Sequence, residues 1–132
     1  MAPPHKRMNS PHKGKTGMRR VWNALLYSFA GLAAAFRHES AFRQEILLAA
    51  VFLPLAWLLD VPLVSKVLLI ASVMLVLIVE LLNSAIEAIV DRVSLELHPL
   101  AKRAKDIGSA AVFLSLVTLG MVWALILLDR FG

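Results

Sequence analysis

Apolar residues along the chain fall into three long runs, residues 46–59, 67–79 and 107–128. Only the third alone meets the ~20 residues that a helix needs to cross hydrocarbon. The first run extends back through Phe42, and the second either back through Val61 or forward past Glu80. Asp60, Val61 and Pro62 mark the turn between them, because proline disfavours helix in the residue before it. Ahead of the first run, Trp22, Leu25, Leu26, Phe29, Ala33 and Phe36 recur at helical spacing, with Asn23, Tyr27, Gly31 and Ala34 on the other side. That stripe predicts a helix lying in the membrane interface. The alternative, that this segment simply begins the first span, is opposed by the polar interruption Arg37-His38-Glu39-Ser40. The expected fold is therefore an all-α membrane protein: a surface helix over about 20–37 and spans over about 41–60, 62–90 (including a cytosolic extension) and 106–128.

Composition supports this reading. Of 132 residues, 59% are hydrophobic, and the mean hydropathy is +0.74, more apolar surface than one soluble core requires. The chain has no cysteine, which excludes disulfides and thiolate metal sites. Its net charge of +5 is concentrated early: Lys6, Arg7, Lys13, Lys15, Arg19 and Arg20 stand in the first twenty residues, with no acid among them. Residues 1–19 read as a basic, disordered cytoplasmic tail that could lie on anionic headgroups. Nucleic acid is not an expected partner, since no folded basic face follows the tail. The sequence Gly14-Lys15-Thr16 imitates part of a phosphate loop, but Asn9 stands where that loop needs its first glycine, so the match carries no weight.

Basic residues also orient the spans. The connection after the second run carries Arg92, Lys102, Arg103 and Lys105, whereas the 60–66 turn offers only Lys66 and the C-terminus only Arg130. The N-terminus and the connection are expected in the cytoplasm and the C-terminus outside. All three spans then bring their ionisable residues to one surface.

Glu80, Asn83, Glu87 and Asp91 fall within about 80° of one another around a helix, forming a stripe of ~16 Å along its axis. A carboxylate near the bilayer centre costs ~3 kcal/mol or more, so such groups are rare and commonly functional. Glu39 and Glu45 repeat the arrangement on the first span, which gives an inner carboxylate layer at lipid depth and an outer one towards water. A solvated polar face accounts for Asp91 and, less well, Glu87; it accounts poorly for Glu80. Outer carboxylates with nearby Lys or Arg suit a divalent metal and a polyphosphate. An inner carboxylate suits proton removal from a lipid hydroxyl, the arrangement that phosphoryl transfer needs.

These same segments carry a family resemblance. Ala41-Phe42-Arg43-Gln44-Glu45, residues 79–92 (VELLNSAIEAIVDR) and residues 103–112 (RAKDIGSAAV) resemble the bacterial integral-membrane diacylglycerol kinases, with Tyr27-Ser28 and Gly31-Leu32 agreeing in the surface helix. The resemblance runs from about Arg20 through the third span and implies one membrane kinase domain over 20–132. It implies a homotrimer with active sites shared between subunits, converting diacylglycerol to phosphatidic acid with ATP and Mg²⁺. By motif, Glu80 resembles the catalytic base and Asn83 its polar partner. Glu39 and Glu87 resemble metal ligands. Arg20, Tyr27, Glu39, Glu87, Glu96, His98, Lys105 and Asp106 resemble nucleotide-site residues. Ser28, Ala41, Phe42, Arg43, Gln44, Glu45, Glu80 and Ser109 resemble the lipid site. Departures from the family pattern are the longer basic tail, Asn23, Ala30 and Ala33 where basic residues are expected, and Pro99 and Lys102 in the connection.

Two other functions compete. A polyprenol kinase of the same family would act on undecaprenol. A small oligomeric transporter would need an acidic relay, but residues 67–79 and 110–128 supply no charge to continue one across the membrane. Ala111 and Ser115 form a small-xxx-small pair that could admit a close helix neighbour.

Overall fold

A computed structural model describes residues 17–93 and 98–132. It contains four helices: α1 (Gly17–His38), α2 (Ser40–Leu58), α3 (Leu63–Val93) and α4 (Pro99–Phe131). No strand occurs among the described residues, and three of the helices, α2, α3 and α4, are long and apolar enough to cross a membrane. The fold is the expected all-α membrane fold; of the basic tail expected over residues 1–19, residues 1–16 lie outside the described residues, and 17–19 are not disordered but form the first turn of α1.

The chain divides into two compact units, Met1–Ala34 and Ala35–Gly132. In the first, α1 leaves Trp22, Leu25, Leu26 and Phe29 exposed, as an apolar stripe without a protein partner within its own unit should be. In the second unit, Glu39 holds extended backbone (φ −115°, ψ 108°) between α1 and α2. Its N–H still donates to Ala35 O at 2.9 Å. The Arg43 guanidinium reaches back to the Phe36 carbonyl at 2.8 Å and that of Arg37 at 3.1 Å, satisfying acceptors that a helix end leaves open. The polar interruption read in the sequence thus narrows to one non-helical residue.

Helix α3 is the centre of the second unit and packs against both α2 and α4. Ala49, Ala56, Val61, Leu69, Val73 and Trp123 form its buried apolar cluster. Small residues on α2 let Leu69 and Val73 approach, and the Phe52 and Trp123 rings meet edge to face at 4.9 Å. The Trp123 indole N–H donates to Ser72 Oγ at 3.2 Å, and that hydroxyl donates to Leu69 O. A polar side chain in an apolar interior must find such partners.

The 31 residues of α3 and 33 of α4 correspond to ~46 and ~50 Å, well beyond a ~30 Å hydrocarbon core. Helix α4 starts seven residues earlier than the span expected from residue 106, because Pro99 suits the first helical turn and His98 caps it, Nδ1 accepting from Leu100 N–H at 3.1 Å. At the opposite end, Arg130 donates to the Asp60 carbonyl and pairs with its carboxylate at 2.6 Å. Lys66 donates to Trp57 O at 2.6 Å and lies over its ring. The turn between α2 and α3 is thereby tied to both α3 and α4.

Candidate active site

Burial along the polar stripe of α3 is graded. Glu80 is 4% and Asn83 7% exposed, Glu87 is half-buried and Asp91 exposed. A helix with one solvated polar face would expose all four. Glu80 lies within electrostatic reach of Glu87 and Glu39, and Glu45 lies within reach of Glu80. Four carboxylates from α2, α3 and the residue before α2 therefore collect at one end of the second unit. Glu45 Oε2, Asn83 Oδ1 and Ser84 Oγ are buried there without a hydrogen-bond partner among the described residues.

Helix α4 runs antiparallel to α3 along this end. Lys105 Nζ pairs with Asp91 at 2.6 Å, and Glu87 adds to its electrostatic field. Asp106 pairs instead with Lys102 at 2.7 Å, one turn earlier on its own helix. One turn below Lys105, Gly108 faces Asn83: a β-carbon at Gly108 would stand 3.2 Å from Asn83 Cγ and closer still to its Oδ1.

The expected lipid-site residues are dispersed in environment. Phe42 is fully buried at 1% exposure, and its ring anchors α2 inside the unit. Arg43 and Glu45 are half-buried, whereas Ala41, Gln44 and Ser109 are exposed. Arg20, Tyr27 and Ser28 belong to the first unit and are all exposed; the Ser28 hydroxyl donates to Ala24 O at 2.8 Å. His98 acts as the cap of α4, and Glu96 lies outside the described residues.

Sequence reasoning missed three features of this end. Ser84 is buried beside Asn83, Asp91 is the partner of Lys105, and Gly108 is where an added β-carbon would meet the Asn83 side chain. The last had a signal, since glycine inside a helix is unfavourable relative to alanine and needs a local reason. Of the small pair noted in the sequence, Ser115 is buried and Ala111 exposed; the inward seam of α4 runs through Gly108, Ser115 and Trp123.

Among the described residues, no three His, Asp or Glu side chains come together as a metal-sized group. The donor set suits a hard cation carried with a polyphosphate, which needs only one or two protein carboxylates.

Residues 26–127 match the family model described as prokaryotic diacylglycerol kinase. A diacylglycerol kinase of Pseudomonas aeruginosa is 60% identical over 119 residues, covering 90% of this chain and 97% of that protein. One from Escherichia coli K12 is 50% identical over 117 residues, covering 89% and 96%. A third, from Helicobacter pylori, is 44% identical over 118 residues, covering 89% and 91%. Similarity across nearly the whole length, three spanning helices and a buried carboxylate cluster at one end agree: the chain is a membrane-embedded lipid kinase and belongs to the prokaryotic diacylglycerol kinase family.

Proposed function

We propose that this chain transfers the γ-phosphoryl group of ATP to the free hydroxyl of diacylglycerol, at the cytoplasmic face of the inner membrane, yielding phosphatidic acid and ADP. The observation that carries this reading is the buried Glu80 carboxylate, held within electrostatic reach of Glu39 and Glu87. Family membership supplies the reaction class.

In this reading the lipid hydroxyl lies against Glu80. Its oxygen attacks the γ-phosphorus, the bond to the bridging oxygen of ADP breaks, and Glu80 takes the hydroxyl proton. Asn83, one turn from Glu80 and buried beside it, orients the reacting hydroxyl. Glu39 and Glu87, half-buried and further from lipid depth, would hold Mg²⁺ with the nucleotide phosphates. When bound, that ion neutralises phosphate charge. Lys105 offers a cation to the same phosphates, although Asp91 holds it in this structure. Arg43 and Glu45 line the lipid side. We further propose a homotrimer whose subunits share these sites.

Turnover of diacylglycerol and of undecaprenol, each in mixed micelles with labelled ATP, tests the reading in the wild type and in Glu80→Gln. Positioned acid-base catalysis is worth ~10²–10⁴-fold, so Glu80→Gln should lower turnover by at least about a hundredfold while the oligomer persists. Wild-type turnover in Glu80→Gln would remove Glu80 from the chemistry. Preferential phosphorylation of undecaprenol would reassign the lipid.

A further inference from the structure

Resting on the proposed role of Asn83, we infer that Gly108 is a positioning residue for the transfer: its missing side chain is the notch that holds the Asn83 carboxamide in place beside Glu80. Gly108 is buried within α4. The three nearest heavy atoms that a β-carbon there would meet are Oδ1, Cγ and Cβ of Asn83, the last at 4.0 Å. None belongs to the α3 backbone. A methyl group at this point therefore meets one side chain, and it overlaps that side chain's carbonyl oxygen.

The carboxamide has little room to give way. Asn83 is 7% exposed and its Oδ1 is buried. Above Gly108, the Lys105–Asp91 pair joins α4 to α3; below it, Trp123 hydrogen-bonds Ser72. Helix α4 packs against α3 along its length, so an added methyl rotates the carboxamide more readily than it slides α4 along α3. Gly120 supplies a matched comparison in the same helix, because a β-carbon there meets nothing within 4 Å. Alanine is intrinsically better than glycine at both positions, so helix propensity predicts a benefit in each case and only the notch predicts a loss at Gly108.

The experiment compares wild type, Gly108→Ala, Asn83→Ala, their double variant and Gly120→Ala as purified full chains. It measures kcat and KM for diacylglycerol and ATP, together with the side-chain amide resonances of ¹⁵N-asparagine. Gly108→Ala should lower kcat by about tenfold or more, with both KM values within about twofold, since a group acting on the transfer step affects kcat. It should shift the Asn83 amide signal, whereas Gly120→Ala should change neither. The double variant should turn over no more slowly than Asn83→Ala, because two changes acting through one side chain do not multiply. A loss in the double variant equal to the product of the single losses would overturn the inference, as would wild-type kcat in Gly108→Ala. If Gly108→Ala fails to fold, a folded double variant supports the inference and an unfolded one overturns it. Wild-type turnover in Asn83→Ala would instead remove the reading of the site on which the inference rests.

Discussion

At the scale of single residues, the contrast between Lys105 and Asp91 separates function from stability. Their ion pair spans 2.6 Å, but the side chains are 43% and 64% exposed, and exposed pairs contribute only ~0–1 kcal/mol. Asp91→Asn should therefore change thermal stability by less than about 1 kcal/mol. Lys105→Ala removes the cation assigned to the nucleotide phosphates. It should raise KM for ATP by about tenfold or more, while the midpoint of thermal unfolding stays near that of Asp91→Asn. Equal, small effects of both substitutions on KM would assign Lys105 to the ion pair alone. Glu80 is the opposite case: it is almost completely buried, so its retention in an apolar setting calls for a chemical reason.

At the scale of elements, α3 and α4 are registered by three unlike contacts: Asp91 with Lys105, Asn83 with Gly108, and Ser72 with Trp123. Lipid offers little hydrophobic force between helices, so packing and polar contacts set such a pairing. Trp123→Phe keeps the ring against Phe52 and loses the indole donor, which should cost about 0.6 kcal/mol, the typical worth of an interhelical hydrogen bond in a membrane. Trp123→Ala empties the cluster and should cost several-fold more, about 3–5 kcal/mol by comparison with large-to-small changes in cores. Helical circular dichroism on heating in detergent measures both; similar costs would mean that the hydrogen bond, not the ring, holds the seam. Helix type and approximate extent were legible from apolar runs, since lipid demands a length that is written in the sequence. The seam was not. Periodicity marks a polar face on α3, but it does not say which α4 residue opposes Asn83, and the small pair it offered on α4 was Ala111 and Ser115.

For the whole molecule, the decisive property is that the carboxylate cluster and the Asp60–Arg130 clasp stand at opposite ends of the second unit. Basic residues carry the proposed orientation, because Arg92, Lys102, Arg103 and Lys105 flank the connection between α3 and α4 while the other end has Lys66 and Arg130. The carboxylate end was legible because α2 and α3 enter it from opposite sequence directions, so that Glu45 and Glu80 had to share a depth. The clasp was not, since it joins residues 70 positions apart. A cytosolic nucleotide can reach Glu39 and Glu87 only if their end faces the cytoplasm. With no native cysteine, single replacements report topology without background. Ser40→Cys and Arg103→Cys should resist a membrane-impermeant maleimide in intact spheroplasts and react after permeabilisation, whereas Gly132→Cys should react before it. Labelling of positions 40 and 132 from the same side would break the antiparallel crossing of α2, α3 and α4. Labelling of 40 and 103 from outside would preserve the fold but put the carboxylates beyond the reach of cellular ATP, and the proposed reaction would fail with them.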